Sequence, residues 1–226
     1  MKEMTTLERY NRQILQWGPE KQRKIGQASV LIAGVGGLGT TVSQLLVRAG
    51  VGQLYLVDDG QVDWPDLNRQ TLYAEQDIGL AKVDVARCRL EQINSTVRIE
   101  VLRQRIDSSF RIPNDIALAA DCLDNYASRF HLEAALPSDA FLVHGGIEKD
   151  QGQVLTLRKD SSQPLAEIFA GTDQPQGSIP VSGPNVAIIA GLMANELLQV
   201  IFGQPNLLNR FLIVGLSDLN FSFLDV

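Results

Sequence analysis

The sequence predicts an α/β protein built on a doubly wound, mostly parallel sheet with an antiparallel C-terminal extension. Three observations point there. Short apolar runs alternate with segments of helical period from about residue 28 to residue 144. A glycine-rich turn joins the first run to the first helical segment. Beyond it, Gln153 to Leu157 reads as a strand with no crossover helix before it, and two more short strand-like runs lie near the C-terminus. The chain has 226 residues, 45% hydrophobic and 20% charged, which suits one domain with a sizeable core and excludes whole-chain disorder. We therefore expect a single domain over residues 1–226, with a helical arm over 1–27 and a mobile surface loop over 158–185.

Each element has a local reason. Leu7 to Lys24 is charged and amphipathic, and Gly18-Pro19 divides it into two helical pieces because proline starts a helix better than it continues one. Ala28 to Ala33 is an apolar run ending in glycines, the pattern of a buried strand. Leu38, Val42, Leu45, Leu46 and Ala49 then fall at helical spacing, and Gly50 closes that helix. Gln53 to Val57 reads as a second buried strand, ending at Asp58. Lys82 to Ile93 reads as a helix, Val97 to Leu102 alternates with period two, and Ile116 to Cys122 is a further apolar run. Asn125 to Leu136 suits a helix and Phe141 to His144 a strand, after which Gly145-Gly146 break the pattern. Gln153 to Leu157 reads as a strand, and Arg158 to Asn185 holds four prolines and three glycines with no sustained period. Val186 to Ile201 forms an apolar helix of about four turns. Phe211–Val214 and Leu219–Phe223 supply two short strands, with Phe221 and Phe223 on one face.

Gly34-Val35-Gly36-Gly37-Leu38-Gly39 fits G-x-G-x-x-G in the strand-to-helix context that this motif requires. Gly34, Gly36, Gly37 and Gly39 let the backbone turn tightly and approach a nucleotide, and the helix amides then face an anion. Asp58, at the next strand end, suits ribose hydroxyls. A nicotinamide oxidoreductase is the default reading of this fingerprint. The remaining polar residues point elsewhere. Asp66-Leu67-Asn68-Arg69-Gln70 follows the acidic strand end, Lys82 lies beyond it, and Arg12 sits in the arm. Asp124 and Asn125 end the run of Asp121-Cys122-Leu123, so a doubly wound sheet would bring Asp58, Asp124 and the 66–69 loop to one carboxyl edge. Hydride transfer needs neither three cations nor a spare carboxylate. Phosphoryl or nucleotidyl chemistry uses both.

Plainer readings stand beside these. Exposed Arg and Lys are usually solvated, and Asp124 is placed to cap the helix beginning at Asn125. Cys122 reads as a small buried hydrophobe and His131 and His144 as isolated structural residues. Trp64 either packs its loop down or stacks near a nucleotide. The two cysteines, Cys88 and Cys122, form no scaffold, and with the two histidines they lack zinc spacing. A net charge of −6 argues against a nucleic-acid coat. The longest apolar run, Val186 to Ala194, is too short for a membrane span, and the N-terminus lacks an apolar signal core, so a cytoplasmic protein is expected.

Taken together, Arg9-Tyr10-Asn11-Arg12-Gln13, Gly34–Gly39, Asp58, Asp66-Leu67-Asn68-Arg69-Gln70-Thr71, Gly79-Leu80-Ala81-Lys82, Asp121-Cys122-Leu123-Asp124-Asn125 and Gly145-Gly146 with Gly152-Gln153-Val154 resemble the ThiF/MoeB/HesA family, relatives of ubiquitin-activating enzymes. The resemblance runs from about Leu7 to Gly203. It implies a Rossmann-like homodimer that uses Mg-ATP to adenylylate the C-terminal Gly-Gly carboxylate of a ubiquitin-like sulfur carrier, releasing pyrophosphate, in thiamine- or molybdopterin-type sulfur transfer. By resemblance, Asp66, Asn68, Arg69 and Lys82 contact phosphates, Asn125 belongs to the nucleotide site, Asp124 positions Mg2+, and Arg12 acts in trans.

Two departures bear on this. Many members carry two Cys-x-x-Cys pairs for zinc; here the first is replaced around Leu165 and Ile168 and no cysteine follows Cys122, so no zinc is expected. Some relatives also use a loop cysteine near the stretch around Gln176, absent here, which implies adenylylation without a covalent carrier intermediate. The competing readings are a non-catalytic dimer partner or scaffold, an NAD-dependent oxidoreductase, and adenylylation of a different small acid or peptide.

Overall fold

The computed structural model describes residues 8–113, 116–172 and 177–226. Its centre is an eight-stranded sheet in the order β3-β2-β1-β4-β5-β6-β7-β8. The strands are β1 (Ser29–Ala33), β2 (Gln53–Val57), β3 (Arg98–Leu102), β4 (Leu118–Asp121), β5 (Phe141–Glu148), β6 (Gln151–Arg158), β7 (Arg210–Gly215) and β8 (Asn220–Asp225). Strands β1 to β5 run parallel, and β5 to β8 pair antiparallel, as the alternation and the C-terminal pattern predict.

The helices cover both faces. They are α1 (Asn11–Gln27), α2 (Gly37–Ala49), α3 (Lys82–Ile93), α4 (Tyr126–Ala135), the single turn α5 (Leu165–Ile168) and α6 (Gly183–Phe202). Leu38, Val42 and Leu46 of α2, Val83 and Leu90 of α3 and Ile189, Met193 and Leu197 of α6 pack on one face. Leu132 of α4, Leu165 of α5 and Phe110 pack on the other, against Leu31, Leu142 and Leu155. Burying a side chain of this size contributes about 1.5–3 kcal/mol, so both layers are held mainly by apolar burial.

Several expectations need correction. Strand β5 does not end at Gly145-Gly146. It runs on to Glu148, because β6 pairs with it residue for residue through Gly146↔Gln153 and Glu148↔Gln151 and satisfies the backbone that the glycines expose. Helix α4 starts at Tyr126, and Asn125, not Asp124, is its cap, accepting from the Ser128 amide at 2.8 Å. Helix α6 begins at Gly183 because Pro184 is tolerated in a first turn. At 20 residues and mean hydropathy 1.6, it has the length and composition of a membrane span, unlike the shorter run read from sequence. Here it packs into the core through Ile189, Met193 and Leu197.

The segment 158–185 is less featureless than its composition suggests. It contains α5, and its far end is tied to the β5–β6 hairpin by the Lys149 amide donating to the Pro180 carbonyl (2.6 Å). The position of Gln176 lies outside the described residues.

The arm is kinked where expected, at Gly18 with φ +82°. It grips the C-terminal ends of three helices. Gln13 and Gln22 both donate to the Ala49 carbonyl of α2, Lys24 donates to the Phe202 carbonyl of α6, and Arg9 to the Ile93 carbonyl of α3.

Candidate functional site

The connection from β3 back to β4 reverses the direction of strand order, so β1 and β4 are neighbours, and such a switch opens a crevice at the strands' carboxyl ends. The glycine turn leaves β1 there. Gly34 has φ +86°, and a Cβ on it would meet the Cys122 carbonyl oxygen at 2.8 Å. Gly39 is the packing glycine: its Cβ would lie 1.9 Å from the Gly34 carbonyl oxygen. Gly36 caps α2 and Gly37 opens it.

Four helices present their N-termini to this crevice. Helix α2 starts at Gly37 and α3 at Lys82. The start of α6 reaches the glycine turn and the 66–69 loop, since a Cβ on Gly37 would lie 3.1 Å from Val186 and one on Gly183 2.7 Å from the Asn68 carbonyl oxygen. Helix α4 starts just after Asp124-Asn125, and Cys122 is hydrogen-bonded to Ala33 of β1. Unpaired amides and aligned peptide dipoles at such ends favour an anion.

Asp58 is oriented before any ligand arrives. Its Oδ2 accepts from the Val35 amide at 2.7 Å and its Oδ1 from the Gly60 amide at 2.8 Å. Asp66 is nearly buried, and its oxygens are engaged by Lys82 Nζ (3.1 Å), Gln70 Nε2 (2.5 Å) and the Asp63 amide (3.1 Å), with Arg69 at 3.9 Å. The geometry makes Asp66 a holder of two cations, which differs from the phosphate contact that the resemblance implies. Arg69 Nη1 donates to the Pro65 carbonyl (2.7 Å) and the Asn68 side chain (3.1 Å). Its stem lies 3.6 Å from where a Gly37 Cβ would be. Gly34, Gly36, Gly37, Gly39, Asp58, Asp66, Asn68, Arg69 and Lys82 therefore stand together, with Asp124 and Asn125 one strand over. Arg12 does not join them: it is exposed on the arm, at the opposite ends of the helices. Trp64 is 62% exposed.

Sequence reasoning missed a buried polar cluster beside Asp124. His144 is not isolated. Its Nδ1 lies 2.7 Å from Asp121 Oδ2, and Gln153 Nε2 is 3.1 Å from its Nε2. Arg129 Nη1 also lies 2.7 Å from that Nδ1, so carboxylate and guanidinium meet at one ring nitrogen. Arg129 donates to Asp121 Oδ2 (2.8 Å), the Gly145 carbonyl (3.0 Å) and the Leu123 carbonyl. Burial, with the Arg129 charge added, pushes the His144 pKa down. For Asp121, burial raises the pKa, but Arg129 and the His144 hydrogen bond outweigh it and the net shift is downward. The one available signal was Arg129 itself, a charge at helical spacing from Leu132 on an otherwise apolar face. Over this cluster lies a cavity of about 220 Å³, with Asp124, Arg129, His144, Gly146, Gly152 and Gln153 in its walls. Cys122 is buried as expected, and desolvation raises its thiol pKa far out of the nucleophilic range.

The comparisons with known proteins follow the same geometry. The ThiF family model matches residues 10–226. The chain belongs to the ThiF family. It is 35% identical over 212 residues to the sulfur carrier protein adenylyltransferase of Thermus thermophilus, covering 87% of this chain and 78% of that one. It is 34% identical to the molybdopterin-synthase adenylyltransferase of Salmonella typhimurium, covering 87% and 84%. Among solved structures, E. coli MccB with ATP superposes with TM-score 0.80 at 19% identity over 96% of this chain and 71% of that chain, a likeness of fold.

Proposed function

We propose that this protein is an adenylyltransferase that activates the C-terminal Gly-Gly carboxylate of a ubiquitin-like sulfur carrier with ATP. The reading is supported by its adenylyltransferase relatives within the family. The single structural observation that carries it is the convergence of Lys82, Arg69 and four helix N-termini on one glycine turn. Such a crevice suits the charge of a triphosphate, and its cations are more than hydride transfer requires.

In this reaction a carboxylate oxygen of the carrier attacks the α-phosphorus of ATP. The bond to the bridging oxygen breaks, and pyrophosphate leaves with the electron pair. No general base is required, because the carboxylate is already ionised at neutral pH. The load on the protein is orientation and charge neutralisation. Asp58 takes the ribose hydroxyls, the amides of Gly36 and Gly37 and the side chain of Asn68 meet phosphate oxygens, and Asn125 fixes the loop at the end of β4. Lys82 and Arg69 neutralise charge, held by Asp66. The cavity beside Asp124 admits the Gly-Gly tail, whose lack of side chains suits its glycine walls.

Magnesium fits the donors present. Among the described residues no three carboxylate, histidine or cysteine side chains gather as a metal cage. Mg2+ is commonly held by one or two carboxylates plus substrate phosphates, and Asp124, exposed just beyond β4, is a hard oxygen donor of that kind. When bound, the ion supplies charge neutralisation on the phosphates.

Arg12 completes the site from a second copy. Within one chain it is separated from the turn by the length of α2, 13 residues or about 20 Å. A homodimer with Arg12 acting in trans resolves this. We place the dimer in the cytoplasm, with no nucleic-acid or membrane partner. The sequence has two cysteines, too few for a four-cysteine zinc site.

The test is ATP–pyrophosphate exchange with Mg2+ and each small Gly-Gly-ended protein of the same source. Exchange with one carrier, lost in Asp124→Ala while the fold persists, supports the reading. Nucleotide binding without exchange favours the scaffold alternative, and exchange driven by another acid or peptide reassigns the acceptor.

A further inference from the structure

One residue of the glycine turn, Val35, is held through both of the peptides that flank it. The Val35 amide donates to Asp58, and the Val35 carbonyl accepts from the Tyr73 hydroxyl at 2.7 Å. The same hydroxyl lies 3.3 Å from the carbonyl oxygen of Lys82, the first residue of α3. Tyr73 is nearly buried, and its loop is anchored on α3: the Ala74 amide donates to Asp77 at 2.9 Å, and Arg89 pairs with Asp77 at 3.3 Å. Burial first, then the charges of Asp58, Asp66 and Asp77, pushes Tyr73 ionisation far upward, so the phenol stays a donor.

The Val35 carbonyl and the Gly36 amide belong to one planar trans peptide and point in opposite directions. A hydroxyl that draws the carbonyl inward therefore turns the Gly36 N–H outward, toward the crevice. We propose that Tyr73 is a positioning residue for the nucleotide. It aims the Gly36 amide and ties the glycine turn to the first turn of α3, so that Lys82 stays in register with the turn amides. This rests on the nucleotide reading above and adds a residue that no motif in the sequence marks.

The experiment measures ATP affinity by calorimetry, and KM for ATP and for the acceptor, in wild type, Tyr73→Phe and Thr156→Val. Thr156 is a control. Its buried hydroxyl donates to Glu196 at 3.0 Å, remote from the turn. We expect Tyr73→Phe to weaken ATP binding and raise KM for ATP by about tenfold, the usual worth of one buried hydrogen bond. The acceptor KM should not move. Thr156→Val should lower the unfolding midpoint with ATP affinity unchanged. In wild type, hydrogen exchange at the Gly36 amide should slow on adding ATP, a reading that does not depend on the variant folding. Tyr73→Phe binding ATP like wild type overturns the inference, as does equal weakening by Thr156→Val, or a Gly36 amide indifferent to ATP. Wild-type protein that binds no ATP overturns the nucleotide reading itself, and this inference with it.

Discussion

Replacing Gly39 by alanine tests whether the glycine turn is a packed object or merely a flexible one. The added Cβ would sit 1.9 Å from the Gly34 carbonyl oxygen, where a carbon–oxygen contact normally needs about 3.3 Å. Both partners are backbone, so neither can swing away, and α2 must move off β1 by more than an ångström. Overpacking of this kind costs about 1–3 kcal/mol, and rigid neighbours place it at the upper end. For a chain of this size, about 3 kcal/mol lowers the thermal midpoint by roughly 6–12 °C. A displacement of about 1 Å at a phosphate-binding turn also costs on the order of 100-fold in turnover. Gly37→Ala is the comparison. Its Cβ would lie 3.1 Å from a Val186 methyl carbon and 3.6 Å from the Arg69 stem, contacts that yield by a few tenths of an ångström. Its midpoint should stay within about 3 °C of wild type, by the same conversion for a cost below 1 kcal/mol. Thermal unfolding and ATP titration on both variants decide the matter. A Gly39→Ala protein as stable and as tight for ATP as wild type would refute the packing argument, and so would Gly37→Ala proving the more damaging to stability.

Three further outcomes are expected. Arg12→Ala and Asp124→Ala should each be inactive alone, yet mixing them with subunit exchange should restore roughly a quarter of wild-type exchange activity, because random pairing builds one intact site in half of the dimers; no restoration argues that Arg12 does not act across the interface. The downward-shifted His144 contributes stability that is complete above its unfolded value of about 6.5 and is lost as the pH falls below it. Asp121, also shifted down, adds a second loss below about pH 4, so urea midpoints should fall on acidification from pH 7, and His144→Gln should flatten the limb between pH 7 and 5. Asn125→Ala removes the cap of α4 and should cost about 1 kcal/mol in stability, read by urea unfolding, with a larger loss of exchange activity than a distant cap would give because Asp124 adjoins it.

Much of the architecture was legible because its signals are local. The apolar run Gln53–Val57 and the segment Lys82–Ile93 coincide with β2 and α3, and the glycine turn lies between β1 and α2 as its motif requires. Asp58, Asp66, Arg69 and Lys82 were legible for a related reason: strand ends and their loops share one sheet edge. What was hidden depends on partners far along the chain. Gly145-Gly146 look like a break until β6 is present to pair with them. His144 looks solitary until Asp121 and Arg129, 23 and 15 positions away, close around it. Tyr73 has no periodicity or motif to mark it, and its partner Val35 lies 38 positions away.

Helix α2 has one end in the nucleotide turn and the other under the arm, where Gln13 and Gln22 clasp Ala49. On the two-copy reading, the turn belongs to one reaction centre while the arm that its far end supports serves the other. A hydrogen-bonded rod of this length transmits displacement with little loss. Filling one centre therefore shifts the lever that completes its twin, and the pair should not titrate independently. The expected signature is a Hill coefficient for ATP that departs from one in the wild type and returns to one when Gln13 and Gln22 are both replaced by alanine.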